Sequence, residues 1–164
     1  MAEGIVVDVQ LAIDKVSSME LPTDQQIQQW AAVTIEAGGQ NKYRDAQMTV
    51  RIVEEIEISQ LNKNFRKKSG TTNVLSFPFL PPPGIPNDET LNSLGDLVVC
   101  ATVVNKEAEE QHKKNIAHWA HMVVHGTLHL MGFDHQDKKE ACEMESLETK
   151  IMFELGLPDP YAEV

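Results

Sequence analysis

His112, His118, His121, His125, His129 and His135 are all the histidines of this 164-residue chain, and they fall within one short stretch. Neutral imidazole is a common metal ligand, so such crowding points first to metal chemistry. The apolar periodicity predicts a helix over residues 115–131. At ~100° per residue, His121, His118 and His129 lie near −40°, +20° and +40° of His125, all on one stripe. Two histidines four apart can share an ion. His121 and His129 are about 12 Å apart along the axis, whereas zinc–nitrogen bonds are only ~2.0–2.1 Å, so those two cannot. The helix therefore supplies one pair. Gly132 suits the left-handed turn that ends a helix, and the chain can then double back to deliver His135. The expected ligand set is His125, His129 and His135. Three histidines leave a fourth position open for water, the pattern of a catalytic zinc site with one ion. Histidine sites also accept nickel or copper, so zinc rests on availability.

The spacing resembles the HExxHxxGxxH pattern of metzincin peptidases, and the helix is zincin-like in that sense. Position 126 departs from it, because glycine stands where those peptidases carry their glutamate base. A peptidase reading thus loses its central catalyst.

The elements that must position these residues follow from alternation and punctuation. Strands are expected over 4–13, 47–54, 72–77 and 95–100, and helices over 24–37, 57–66, 102–113, 115–131 and 136–155. Thr23 is the expected N-cap of the first helix, and Gly38-Gly39 ends it. Residues 78–93 hold five prolines among Pro78, Pro81, Pro82, Pro83 and Pro86, and read as a surface loop. Strands with interleaved helices followed by a helical block indicate an α+β domain. We expect one domain, 1–164, with a mixed sheet of about four strands and helices packed mainly on one face. Trp119, Met122, Leu128 and Met131 read as core rather than as a base-stacking platform.

The net charge is −11, with 14 basic and 25 acidic residues, which argues against nucleic-acid binding by bulk charge. The distribution is uneven, however. Residues 63–68, Lys-Asn-Phe-Arg-Lys-Lys, hold four basic groups and no acid. Cys100 and Cys142 form no CxxC pair and read as buried free thiols. No leader pattern or membrane span is evident, so a soluble cytoplasmic protein is expected.

The string HGTLHLMGFDH at 125–135 is similar to the HGxLHLxGxDH signature of the YbeY family of bacterial endoribonucleases. LNKNFRKKSGTTNVLSF at 61–77, GDLVVC at 95–100, HWAHMVVH at 118–125 and the tail ending LGLPDPY also resemble that family, which covers the chain from about residue 47 on. The resemblance implies a single-domain, zinc-dependent endoribonuclease of the bacterial cytoplasm. Its substrate would be single-stranded RNA, in maturation of the small-subunit rRNA 3′ end and in ribosome quality control. It further implies the small subunit and its assembly factors as partners. The zinc histidines carry over to His125, His129 and His135, and the functionally important arginine to Arg66. Arg66 could grip a phosphate with two parallel hydrogen bonds, with Lys63, Lys67 and Lys68 adding salt-sensitive attraction.

The alternatives are a zinc peptidase or amidohydrolase, and a non-catalytic ribosome-associated factor with a structural metal. Asn73 and Ser76 could border the cleft or be ordinary strand residues. Asp134 suits a turn as well as catalysis, and His118 and His121 are expected near the metal without binding it.

Overall fold

In β2 (Gln47–Val53) Met48, Val50 and Ile52 are buried, and in β4 (Ser93–Cys100) so are Leu97 and Val99; these residues share one core. Val53, Val98 and Cys100 point the other way into a second, smaller cluster. Period-two alternation has produced a sheet with apolar residues on both faces. The computed structural model describes residues 4–14, 19–39, 43, 45–80, 83–84 and 92–162. Its sheet runs in the order β1-β2-β4-β3, with β1 (Val6–Ala12) parallel to β2 and β2 parallel to β4. The edge strand β3 (Val74–Pro78) lies antiparallel to β4. The fold is α+β with a mixed four-stranded sheet, as the sequence led us to expect.

The main core lies under helix α1 (Asp24–Gly39), which contributes Ile27, Trp30, Ala31 and Ile35. The first turn of α1 is closed by a capping box: Gln26 N–H donates to Thr23 Oγ1 at 3.1 Å, and Thr23 N–H to Gln26 Oε1 at 2.8 Å. Helices α3 (Ala101–Glu110), α4 (Asn115–Leu130) and α5 (Lys138–Glu154) join the same core through Val104, Trp119, Val123, Leu128, Met144 and Ile151. Trp119 and Leu128 are fully buried and Met122 nearly so, as expected of core residues, while Met131 is only partly covered.

Four of the five helices among the described residues share this core, in line with packing mainly on one face, and only the expected burial of Cys142 needs correction. Helix α2 (Glu55–Arg66) packs on the opposite face of the sheet, where Ile58 meets Val53, Leu75, Val98 and Cys100. That second face is apolar at one end only, and α2 covers that end. Cys100 is a buried free thiol, but Cys142 is exposed. The buried stripe of α5 runs through Met144, Glu148, Ile151 and Met152, and position 142 lies about 160° from Met144 around the helix. Of the proline-rich loop, residues 81, 82 and 85–91 lie outside the described residues. No helix among the described residues is long and apolar enough to cross a membrane.

Helix α4 sits unusually close to the sheet at Gly126. A Cβ there would stand 2.8 Å from Leu97 Cδ2 and 3.3 Å from Val74 Cγ2. Ser76 Oγ, on the edge strand, donates to the Gly126 carbonyl at 3.1 Å. The glycine is therefore a contact surface for β3 and β4, and any side chain there would have to displace the ends of Leu97 and Val74. Gly126→Glu should cost about 1–3 kcal/mol in urea unfolding, because it overfills the contact. Unchanged stability would show that the helix stands off the sheet.

Candidate metal centre

The same helix that packs on the sheet through Gly126 presents His125 and His129 one turn apart on another side. Their Nε2 atoms are 3.1 Å apart. The helix then ends in a two-bond turn: Gly132 N–H donates to the His129 carbonyl at 3.1 Å and Phe133 N–H to the Leu128 carbonyl at 3.0 Å. This closure needs a left-handed residue, and Gly132 supplies it with φ +98°. The reversed chain brings His135 to the pair. Asp134 Oδ1 accepts from the His135 backbone N–H at 2.7 Å, so Asp134 shapes this turn, as one of its two expected roles had it. Asp137 then caps α5 by accepting from Glu140 N–H at 2.8 Å. One donor atom from each of His125, His129 and His135 lies within 4.8 Å of the others.

These donors suit a divalent metal ion. Two ligands on a tetrahedral ion with ~2.0–2.1 Å bonds stand ~3.3 Å apart, close to the spacing of the His125 and His129 nitrogens. Burial lowers the His129 pKa, and the nearby His125 and His135 lower it further, which keeps the ring neutral and its lone pair available. His125 Nδ1 lies 2.6 Å from Glu148 Oε1. An ionised carboxylate only accepts, so the proton of His125 sits on Nδ1 and its Nε2 faces His129 as a lone pair. A second group, His121, His125 and Glu148, also converges. Its contacts of 2.6 and 2.8 Å are hydrogen-bond lengths, shorter than two ligands of one ion would show.

Opposite the histidines, the cleft is walled by β3 and by the turn that follows α2. Arg66, Thr72, Asn73, Ser76 and Asp134 line it together with the three histidines, around about 440 Å³. Asn73 and Ser76 therefore border the cleft. Arg66 is exposed, and among the described residues its guanidinium has no hydrogen-bond or ion-pair partner. Its turn is held from below: the buried Asn62 donates through Nδ2 to the Gly70 carbonyl at 3.1 Å and accepts at its own carbonyl from Lys68 N–H at 3.3 Å. Lys67 there adopts a left-handed φ of 55°.

Behind the histidine stripe lie two carboxylates that sequence reasoning had not singled out, Glu148 fully buried and Glu107 half-buried. His118, nearly fully buried, meets Glu107 Oε1 through Nε2 at 3.0 Å. Glu107 also accepts from Asn73 Nδ2 at 3.2 Å, which ties α3 to the start of β3. His121 Nε2 meets Glu148 Oε2 at 2.8 Å, and Tyr161 donates its hydroxyl to the same oxygen. His118 and His121 thus lie beside the His125–His129 pair with their Nε2 atoms on carboxylates. Burial lowers the His121 pKa despite its carboxylate partner. Burial pushes Glu148 up, but the hydrogen bonds from His121 and His125 outweigh it and hold the carboxyl down at about 2. Tyr161 is pushed above its usual range, by burial first and by Glu148 second.

A carboxyl depressed from its ordinary 4.5 contributes stability that is full above pH 4.5 and is lost as pH falls towards 2. In the metal-free protein, the urea-midpoint gap between wild type and Glu148→Gln should be widest above pH 4.5 and narrow below it. A gap that stays constant across that window would contradict the depressed value.

Comparison with known proteins identifies the family. The profile of the family described as Endoribonuclease YbeY matches residues 12–156. Endoribonuclease YbeY of Psychromonas ingrahamii is 48% identical over 157 residues, which cover 96% of each chain. The solution structure of the TM1509 protein of Thermotoga maritima superposes with a TM-score of 0.54 over 96% of this chain and all of that one. At 22% identity, that likeness concerns the fold alone. With a matching profile over most of its length and a relative this similar, the chain belongs to the YbeY endoribonuclease family.

Proposed function

We propose that this chain is a single-domain, metal-dependent endoribonuclease that cleaves single-stranded RNA. The metal would be one zinc ion on His125, His129 and His135, on a zincin-like helix. The processing of ribosomal RNA, at the 3′ end of the small-subunit rRNA and in ribosome quality control, is the task the family points to. That task implies the small subunit and its assembly factors as partners, and the cytoplasm as the location.

The observation that carries the reading is the opposition of a metal-competent histidine cluster and an unpartnered arginine across one open cleft. A bound ion would supply a Lewis acid and a water acidic enough to ionise near neutral pH. Arg66 binds the scissile phosphate with its planar guanidinium and offsets the charge that grows there as the bond breaks. Lys63, Lys67 and Lys68 are exposed beside it and hold the flanking phosphates. Nothing in the cleft favours the peptidase alternative, since position 126 is packed against Leu97 and Val74.

Purified protein should cut single-stranded RNA. Arg66→Ala should lose roughly 10²–10³-fold in rate, the scale seen when one charge-stabilising donor is removed, while keeping its metal. His129→Ala should lose both metal and cleavage. Full cleavage by His129→Ala in a ribonuclease-free preparation would sink the metal role, and a peptide-library digest would expose a peptidase.

The core that surrounds the site is built from apolar side chains of every helix and needs no ion to close. A chelator should therefore abolish cleavage and lower the melting temperature, yet leave the far-ultraviolet circular dichroism at 25 °C unchanged. Unfolding on chelation would point instead to a structural metal in a non-catalytic factor.

A further inference from the structure

We propose that Glu148 is the positioning residue of the metal centre, aiming the Nε2 lone pair of His125 at the ion, and that His121 and Tyr161 lock the plane of its carboxylate. The proposal rests on the metal-centre reading above.

Glu148 is a charged residue on an otherwise apolar stripe, between Met144, Ile151 and Met152, and it is completely buried. A carboxylate is expensive to bury unless its lone pairs are filled by donors. Here the two oxygens divide the work. Oε1 accepts from His125 Nδ1 at 2.6 Å; Oε2 accepts from His121 Nε2 at 2.8 Å and from the Tyr161 hydroxyl. A carboxylate with one partner can swing about its terminal bond. With Oε2 held by two donors from different elements, that rotation is blocked and Oε1 stays aimed at His125.

The geometry then propagates outward. The proton on His125 Nδ1 is the one shared with Oε1, so the ring cannot flip without losing a 2.6 Å charge-assisted bond. Its other nitrogen is thereby kept 3.1 Å from His129 Nε2. Tyr161 is itself fixed from two sides. Its backbone N–H donates to Asp159 Oδ1 at 2.9 Å, and the Pro160 carbonyl accepts from Lys113 Nζ, before α4, at 2.8 Å. The C-terminal turn thus connects the start of α4, the middle of α5 and the metal ligand through one carboxylate. Its edge-on contact with the His121 ring, at 5.3 Å between centroids, closes the remaining side.

Partners that orient metal-bound histidines typically alter metal affinity by about 10–100-fold when removed. Zinc affinity should therefore be measured by competition with a chromogenic chelator in wild type, Glu148→Gln and Tyr161→Phe. Glu148→Gln should bind zinc about 10–100-fold more weakly, and Tyr161→Phe should lose less. A purely structural role would lower the melting temperature equally with and without zinc, whereas a positioning role shrinks the zinc-induced increment. Should Glu148→Gln fail to fold, ¹⁵N-edited NMR of zinc-loaded wild type still decides. A protected Nδ1–H on His125 with coordination through Nε2 is expected, and coordination through Nδ1 would overturn the proposal. Wild-type-like zinc affinity in folded Glu148→Gln would overturn it as well, leaving the metal centre standing. If wild type itself bound no zinc, both readings would fall together.

Discussion

The contact between α4 and the sheet at Gly126 governs how the rest of the molecule is arranged. With hydrogen in place of a side chain, the helix comes down onto Leu97 and Val74 until Ser76 can reach its backbone. A helix held that closely has no freedom to roll, so the direction of every other side chain on it is set. His125 and His129 then face a cleft whose far wall is the edge strand itself and the turn after α2. A missing Cβ deep in the core thus fixes how far two imidazoles stand from an arginine more than fifty residues earlier.

Such a helix creates a polar problem that the fold solves with two carboxylates, one of them fully buried. Covered by the sheet on one side and by α5 on another, α4 carries His118 and His121 into the interior. Neutral imidazole has an N–H to satisfy, and each ring finds a carboxylate: Glu107 from α3 and Glu148 from α5. Burying Glu148 is tolerable because it collects three donors, and the half-buried Glu107 collects two. The outcome is a rigid polar seam running from Asn73 at the cleft wall, through Glu107 and His118, and separately from Tyr161 through Glu148 to His125. In both branches, satisfying a buried group also orients a group that faces the cleft.

The overall acidity of the chain and its action on RNA are compatible because charge acts locally. At physiological salt, exposed charges more than ~8 Å apart are largely screened from each other. Arg66 lines the cleft, and the exposed Lys67 and Lys68 follow it on a turn held by Asn62, so basic charge gathers locally on an acidic chain. Most of the local structure was legible in advance. The N-cap at Thr23, the left-handed turn at Gly132 and the alternation of β2 are short-range patterns, and the structure reproduces them. The exposure of Cys142 and the placement of α2 on the second face were not legible, since each depends on which side of an element finds a partner. Glu148 left one trace, a charge on the spacing of Met144, Ile151 and Met152, but an acidic helix hides a single acid well.

The sequence by itself determined which residues can meet a metal ion. His125 and His129 are one helical turn apart, and Gly132 permits the reversal that returns His135; these are consequences of covalent geometry over eleven residues. Only the tertiary structure decided what holds those residues in place and what they face. The carboxylate on His125 Nδ1 comes from 23 positions away, the hydroxyl behind it from further still, and the arginine opposite from another face of the sheet. Helical periodicity carries information over a few turns. Partners brought together by packing leave no comparable mark in the chain, so the candidate ligands could be read from the sequence and their supports could not.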